Sequence, residues 1–254
     1  MNLESILVLI PVLPLLGSII AGLFGKQVGR NGAHWVAIAS VAASCALSLY
    51  TLKLVAVDGI APFTTTVYTW GAVEGFEFRI GFLLDSLSAL MMATVTFVSL
   101  MVHIYTIGYM REDPGYQRFF SYTALFTFSM LMLVMADNFL QLFFGWEAVG
   151  LVSYLLIGFW FRKESAIRAN LKAFLVNRVG DLGFLLGIGG ILVWFGSLDY
   201  AVVFAQAPGL QSSSFSAWPG QDWHVLSFIC ICLFIGAMGK SAQVPLHVWL
   251  PDSM

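Results

Sequence analysis

Apolar residues fall in long windows along this chain, separated by short polar stretches. About 20 apolar residues cross about 30 Å of hydrocarbon. Seven windows meet that length: Ser5–Phe24, Ala33–Val57, Leu83–Met110, Phe119–Ala136, Phe139–Phe161, Ala169–Phe195 and Val225–Leu250. The first has Glu4 where a signal peptide would carry a basic n-region, and no A-x-A-like cleavage site follows, so it reads as a span. The stretch Phe63–Phe82 differs. Its runs Thr64–Trp70 and Phe76–Ile80 are β-prone around a Gly/Glu turn, which predicts a hairpin outside the bilayer. Leu198–Ala207 predicts a short amphipathic surface helix, followed by the Ser/Gly/Pro loop Pro208–Gly220. The expected fold is all-α: a polytopic transmembrane helical bundle of about seven spans, with a discontinuous seventh helix and one small extramembrane β-hairpin.

Composition sharpens this picture. Of 254 residues, 59% are hydrophobic and only 10% charged, against about 25% charged in a soluble domain. A chain this apolar could not cover a water-facing surface, so lipid is its expected solvent. The net charge of −2 offers no basic field for nucleic acid. Cys45, Cys230 and Cys232 sit in apolar runs without metal-ligand spacing, and read as small core residues. Loop charge sets the orientation. Lys26, Arg30, Arg111, Arg118, Arg162, Lys163 and Arg168 fall on one side, while the other holds only Lys53 and Arg79. The first side should face the cytoplasm or its equivalent, placing the N-terminus and the hairpin opposite.

Four ionisable residues lie well inside predicted spans: Glu147, Arg178, Asp181 and Lys240. Each such group costs about 2.5–3.5 kcal/mol at the centre of a membrane helix, so four unpaired ones cost on the order of 10 kcal/mol. They must pair, meet water or be neutral. Glu147 follows Gly145 and precedes Ala148 and Gly150, small residues that admit a neighbouring helix. It reads as a proton-binding carboxylate. The competing role, a structural carboxylate between helices, could be filled by a cheaper Ser or Asn. Lys240 lies in Gly239-Lys240-Ser241-Ala242-Gln243-Val244-Pro245, a polar break about 15 residues into its span. Pro245 lacks the amide hydrogen that would bond back to Ser241. Broken helices at mid-membrane recur at ion sites because the freed carbonyls line a wet cavity. Lys240 is too deep to snorkel comfortably, and reads as a group that takes and releases a proton as its partner moves.

Arg178 and Asp181 are three residues apart and share a helical face. Asp181 either serves a structural pair with Arg178 or competes for Lys240 and tunes it. Lys172 and Asn177, nearer the cytoplasmic end, could snorkel or hydrate the entrance. His247, two residues past Pro245, could extend a proton path. His103 reads as a structural hydrogen-bonding group, His34 and His224 as interfacial, and Asp85 and Asp137 as helix caps or dipole partners. The Gly183-x-x-x-Gly187 spacing lies in a membrane helix with no preceding strand, and predicts close helix packing rather than a nucleotide loop.

Several motifs together resemble a family. They are Tyr109-Met110-Arg111 with Gly115-Tyr116-x-Arg118-Phe119-Phe120-x-Tyr122; Asp137-Asn138 with Gly145-Trp146-Glu147-x-Val149-Gly150-Leu151-x-Ser153-Tyr154-Leu155-Leu156-Ile157-Gly158-Phe159; Lys172-Ala173-Phe174 with Arg178-Val179-Gly180-Asp181; and Gly239-Lys240-Ser241-Ala242-Gln243-x-Pro245-Leu246 with Trp249-Leu250-Pro251-Asp252-Ser253-Met254. The chain resembles the antiporter-like L subunits of NADH:quinone oxidoreductase, respiratory complex I, over essentially its whole length. The resemblance implies a proton channel of two inverted five-helix repeats. It makes Glu147 the fifth-helix glutamate, Lys240 the broken-seventh-helix lysine and Asp181 a sixth-helix acid that tunes it, with Arg178, Lys172 and His247 as secondary proton-path residues. It also implies residues 1–118 as three N-terminal helices with the hairpin, and residues 119–254 as helices four to seven, the first part of the channel repeat. No cofactor or metal is expected in this chain; NADH, FMN, iron–sulfur clusters and quinone belong to partner subunits. The expected partners are other membrane subunits, notably an adjacent antiporter-like one, together with the lipid bilayer and protons. A bacterial inner membrane is the expected location, with an organelle inner membrane as the alternative. Members of the family are more than twice this long, so the sequence is expected to be a fragment or a truncated form, which would hold half a channel and could not translocate alone. The large subunits of multisubunit Na+/H+ antiporters share the paired-charge core and form the second reading. A redox enzyme would need paired membrane histidines or clustered cysteines, and the sequence has neither pattern.

Overall fold

The computed structural model describes residues 2–73, 76–218 and 220–253. Nine α-helices are described: α1 (Leu3–Leu23), α2 (Gly25–Ala56), α3 (Ser86–Tyr109), α4 (Tyr116–Val134), α5 (Phe139–Ile157), α6 (Glu164–Phe195), α7 (Tyr200–Gln206), α8 (Val225–Lys240) and α9 (Leu250–Ser253). Strands β1 (Phe63–Val73) and β2 (Phe76–Leu84) form the expected hairpin, whose Gly/Glu turn lies outside the described residues. Among the described residues, five helices are long and apolar enough to cross a membrane: α1, α2, α3, α5 and α6. The other two expected spans are helices as well. α4 has 19 residues but carries Gln117, Arg118 and several hydroxyls, while α8 has only 16.

One expectation is corrected. The segment Pro208–Gly220 is not simply a loop. Antiparallel strands β3 (Ser214–Trp218) and β4 (Gln221–His224) pair there, with Phe215 opposite Trp223. Asp137, just before α5, pairs through Oδ2 with Arg79 Nη2 of β2 at 3.3 Å, and Asn138 Oδ1 accepts from Gln141 N at 2.8 Å. His34 is buried within the protein, with Nδ1 3.0 Å from the Tyr116 hydroxyl. Asp85 is a cap as expected: its Oδ1 accepts from Ser88 N, and Ser88 Oγ accepts from Asp85 N. Cys45 and Cys232 are buried, whereas Cys230 is exposed on its helix.

The chain divides into two compact units. The first holds residues 1–68, 79–137 and 144–156. Its core gathers Ile6, Leu7 and Ile10 of α1, Phe82 and Leu84 of β2, Ala89 and Met92 of α3, and Leu131 and Met135 at the end of α4. Small residues and hydroxyls join its helices. Pro14 cannot donate to the carbonyl of Ile10, and Ser44 Oγ of α2 donates to that oxygen at 2.6 Å. Ser18 and Ser121 hydroxyls meet at 3.2 Å between α1 and α4. His103 donates from Nδ1 to Ser99 O at 2.8 Å, the structural bond expected of it.

The second unit holds residues 69–78, 138–143 and 157–254. Its spine is the pair α6 and α8. Glycine permits their approach. A Cβ on Gly183 would lie 2.6 Å from Ile235 Cγ2, one on Gly187 2.8 Å from Leu233, and one on Gly236 2.5 Å from Phe184 Cβ. At Gly180 the neighbour is backbone, the Cα of Gly239 at 3.2 Å. Small-xxx-small spacing lets membrane helices pack backbone to backbone in this way.

Candidate proton-transfer site

The glycine seam decides where the charges meet. Gly180 and Gly239 touch, so the next residue of each helix, Asp181 and Lys240, comes within side-chain reach. Lys240 Nζ lies 3.7 Å from Asp181 Oδ1. Arg178, one turn before on α6, places Nη1 3.5 Å from Asp181 Oδ2. The carboxylate is 5% exposed, Arg178 36% and Lys240 19%. Asp181 therefore contacts both cations, Arg178 of its own helix and Lys240 of α8. The guanidinium of Arg178 also lies over the Phe174 ring, 4.7 Å from its centroid. A proton lost from Lys240 would leave a neutral amine beside an ion pair, which is a chemically reasonable second state.

The end of α8 is built around Lys240. The helix stops at this residue, four positions before the Val244–Pro245 bond. Gln243 N donates to Met238 O at 3.0 Å and Ala242 N to Gly239 O at 3.3 Å, with Ala242 at φ 49°. That is a Schellman turn carrying Ala where Gly is usual. Trp249 Nε1, from the turn Leu246–Trp249, also donates to Gly239 O at 3.1 Å. The seventh span is thus discontinuous, with a short helical turn after the break.

The remaining candidates lie elsewhere. Lys172 Nζ pairs with Asp252 Oδ2 at 2.7 Å, tying α6 to α9. His247 is exposed on the turn after the break. Glu147 lies on α5 within the first unit, with Oε1 buried. Two residues before it, a Cβ on Gly145 would lie 2.7 Å from Leu133 Cα, so α5 packs closely on α4 at this level. Asp181, Arg178 and Lys240 are brought together in the second unit. No three His, Cys, Asp or Glu side chains converge as metal ligands among the described residues.

Fold and site define a class: a multi-pass helical membrane protein with ionisable side chains clustered at a broken helix. Comparison with known proteins narrows it. Residues 136–254 match a family described as "NADH:quinone oxidoreductase/Mrp antiporter, TM", and residues 70–120 one described as "NADH-Ubiquinone oxidoreductase (complex I), chain 5 N-terminus". NADH-quinone oxidoreductase subunit L of Neisseria meningitidis is 60% identical over 100% of this chain and 38% of its own length. NADH-ubiquinone oxidoreductase chain 5 of Arabidopsis thaliana is 49% identical over 97% of this chain and 36% of its own. A chain in the solved Mrp complex from Dietzia sp. DQ12-45-1b superposes with a TM-score of 0.78 at 24% identity, over 97% of this chain and 25% of that one, and so shares the fold. The chain belongs to the subunit L/chain 5 family of antiporter-like membrane proteins. It spans less than two fifths of the length of those curated relatives.

Proposed function

We propose that this chain is the N-terminal part of a proton-translocating membrane subunit of NADH:quinone oxidoreductase, seated in a bacterial inner membrane. Quinone reduction takes place in partner subunits, which hold FMN, the iron–sulfur clusters and the sites for NADH and quinone. This chain contributes proton-transfer side chains, and its partners include an adjacent antiporter-like subunit. The observation that carries the reading is the buried carboxylate of Asp181 shared by Lys240 and Arg178 at the end of a broken helix. When Asp181 faces both cations, Lys240 keeps its proton. When the carboxylate is drawn to Arg178, the ammonium loses its counter-charge and passes its proton on. Glu147 is the group that exchanges a proton with Lys240 in this scheme. The 60% identity to a subunit L supports this reading over a multisubunit Na+/H+ antiporter.

The test uses the full-length subunit in its native complex, in sealed membrane vesicles. Glu147→Gln and Lys240→Met should each abolish proton uptake while the complex still assembles. Normal pumping by Glu147→Gln removes that residue from the mechanism, and normal pumping by Lys240→Met removes the lysine. Sodium-dependent transport without NADH would favour the antiporter.

A further inference from the structure

The segment beyond the break is held by side chains rather than by helix continuity. α8 ends at Lys240, Ala242 is left-handed and Pro245 has no amide hydrogen, so no run of helical hydrogen bonds carries the direction of α8 past this point. The turn Leu246–Trp249 and α9 nevertheless both pack on α6. Polar contacts pin them at two places. Trp249 Nε1 donates to Gly239 O at 3.1 Å. Asp252 Oδ2 meets Lys172 Nζ at 2.7 Å. Gly239 lies against Gly180, beside Asp181, whereas Lys172 comes eight residues before Gly180 on α6. At 1.5 Å per residue the two contacts are about 12 Å apart along that helix. Other anchorage is sparse, since Pro245, His247, Val248 and Leu250 are exposed.

We infer that Lys172 is a positioning residue: its ion pair with Asp252 clasps the segment after the break to α6, and so keeps Lys240 opposite Asp181. This rests on the proton-transfer reading above. The contacts run without a gap from one residue to the other. Asp252 lies three residues past Trp249, the indole is bonded to the carbonyl of Gly239, and Lys240 is the next residue. Freeing Asp252 leaves that indole as the remaining printed polar hold on the segment, and it acts on the backbone whose place matters. The paired side chains are 43% and 49% exposed. An ion pair so open to solvent adds little to the stability of a fold, so adhesion is a weak reason for it. Fixing a direction across a break is a geometric task, and one well-placed pair can perform it. The pair also separates two jobs for Lys172. A lysine that relays protons must release its own. A clasp needs only a permanent positive charge on a long side chain.

The test measures protons pumped per NADH by the full-length subunit in its native complex, in sealed vesicles. Lys172→Met and Asp252→Asn should each lower that ratio severalfold. Lys172→Arg should keep most of it, because arginine holds a carboxylate but does not give up its proton. Exchanging the charges, Lys172→Glu together with Asp252→Lys, should restore most of what either substitution alone loses. Full pumping by Lys172→Met, or an exchange no better than its single variants, overturns the inference. Lost pumping by Lys172→Arg overturns it too, and makes Lys172 a proton carrier. If Lys172→Met does not assemble, the arginine variant and the exchange decide. Lys240→Met separates the clasp from the reading beneath it. Lost pumping there, with full pumping by Lys172→Met, rejects the clasp and leaves the role of Lys240 standing. Full pumping by Lys240→Met, with a loss in Lys172→Met, removes the proton-transfer reading and with it the residue that the clasp is inferred to position.

Discussion

Two helix seams in this chain are lined with small residues, and they enclose different polar chemistry. In the first unit α1, α2 and α4 meet through serines: Ser44 on the carbonyl that Pro14 leaves free, and Ser18 on Ser121. In the second, α6 and α8 meet through glycines and enclose an aspartate between an arginine and a lysine. Hydroxyl contacts between membrane helices contribute about 0.6 kcal/mol on average, and that is sufficient glue. Charges add a desolvation penalty that a hydroxyl avoids. The first seam therefore shows that this chain can join helices without ionisable groups. Where it uses them, adhesion is an insufficient reason, and the proton exchange proposed above supplies one.

The comparison can be broken most forcefully at Asp181. Asp181→Ala leaves two cations in the seam without their shared acid and should cost about 3–5 kcal/mol, read as resistance to denaturant in detergent. Full stability would mean that the carboxylate is incidental to the seam. Next comes the approach of the backbones. Gly180→Val puts a branched side chain against the Gly239 backbone and should cost about 1–3 kcal/mol by the same assay. Because it also parts Asp181 from Lys240, its pumping should fall further than its stability. On the other side of the comparison, Ser44→Ala orphans the carbonyl of Ile10 and should cost about 1–2 kcal/mol, with protons per NADH unchanged. A pumping defect there would blur the distinction between the two seams. The smallest effect belongs to Ala242→Gly. It relieves the left-handed conformation and should add about 1 kcal/mol of stability, measured as a higher melting temperature.

Much of this was legible in the sequence because the bilayer imposes it. A span must be long and apolar, and a charge inside one stands out by its cost. That reasoning found Asp181, Arg178 and Lys240, and the glycine spacing predicted tight packing. It could not determine which cation Asp181 holds, since the Lys240 contact joins residues far apart in sequence and depends on the register of two helices. The β3–β4 pair was hidden by its Ser-rich composition, though Phe215, Trp223 and the Pro219-Gly220 turn signal were visible. The Asp137–Arg79 pair joins residues far apart in the chain, so only the helix start beside Asp137 was visible, and Asn138 drew no notice as the residue that accepts from Gln141 N.

The indole of Trp249 gives the break a mechanical character. Its Nε1 grips the carbonyl of Gly239, the residue before Lys240, from a position ten residues downstream. Whatever tilts the short turn Leu246–Trp249 pulls on that oxygen, while the glycine contacts hold the rest of α8 against α6. The tryptophan thus works as a tether, fastening the turn beyond the break to the backbone just before the lysine.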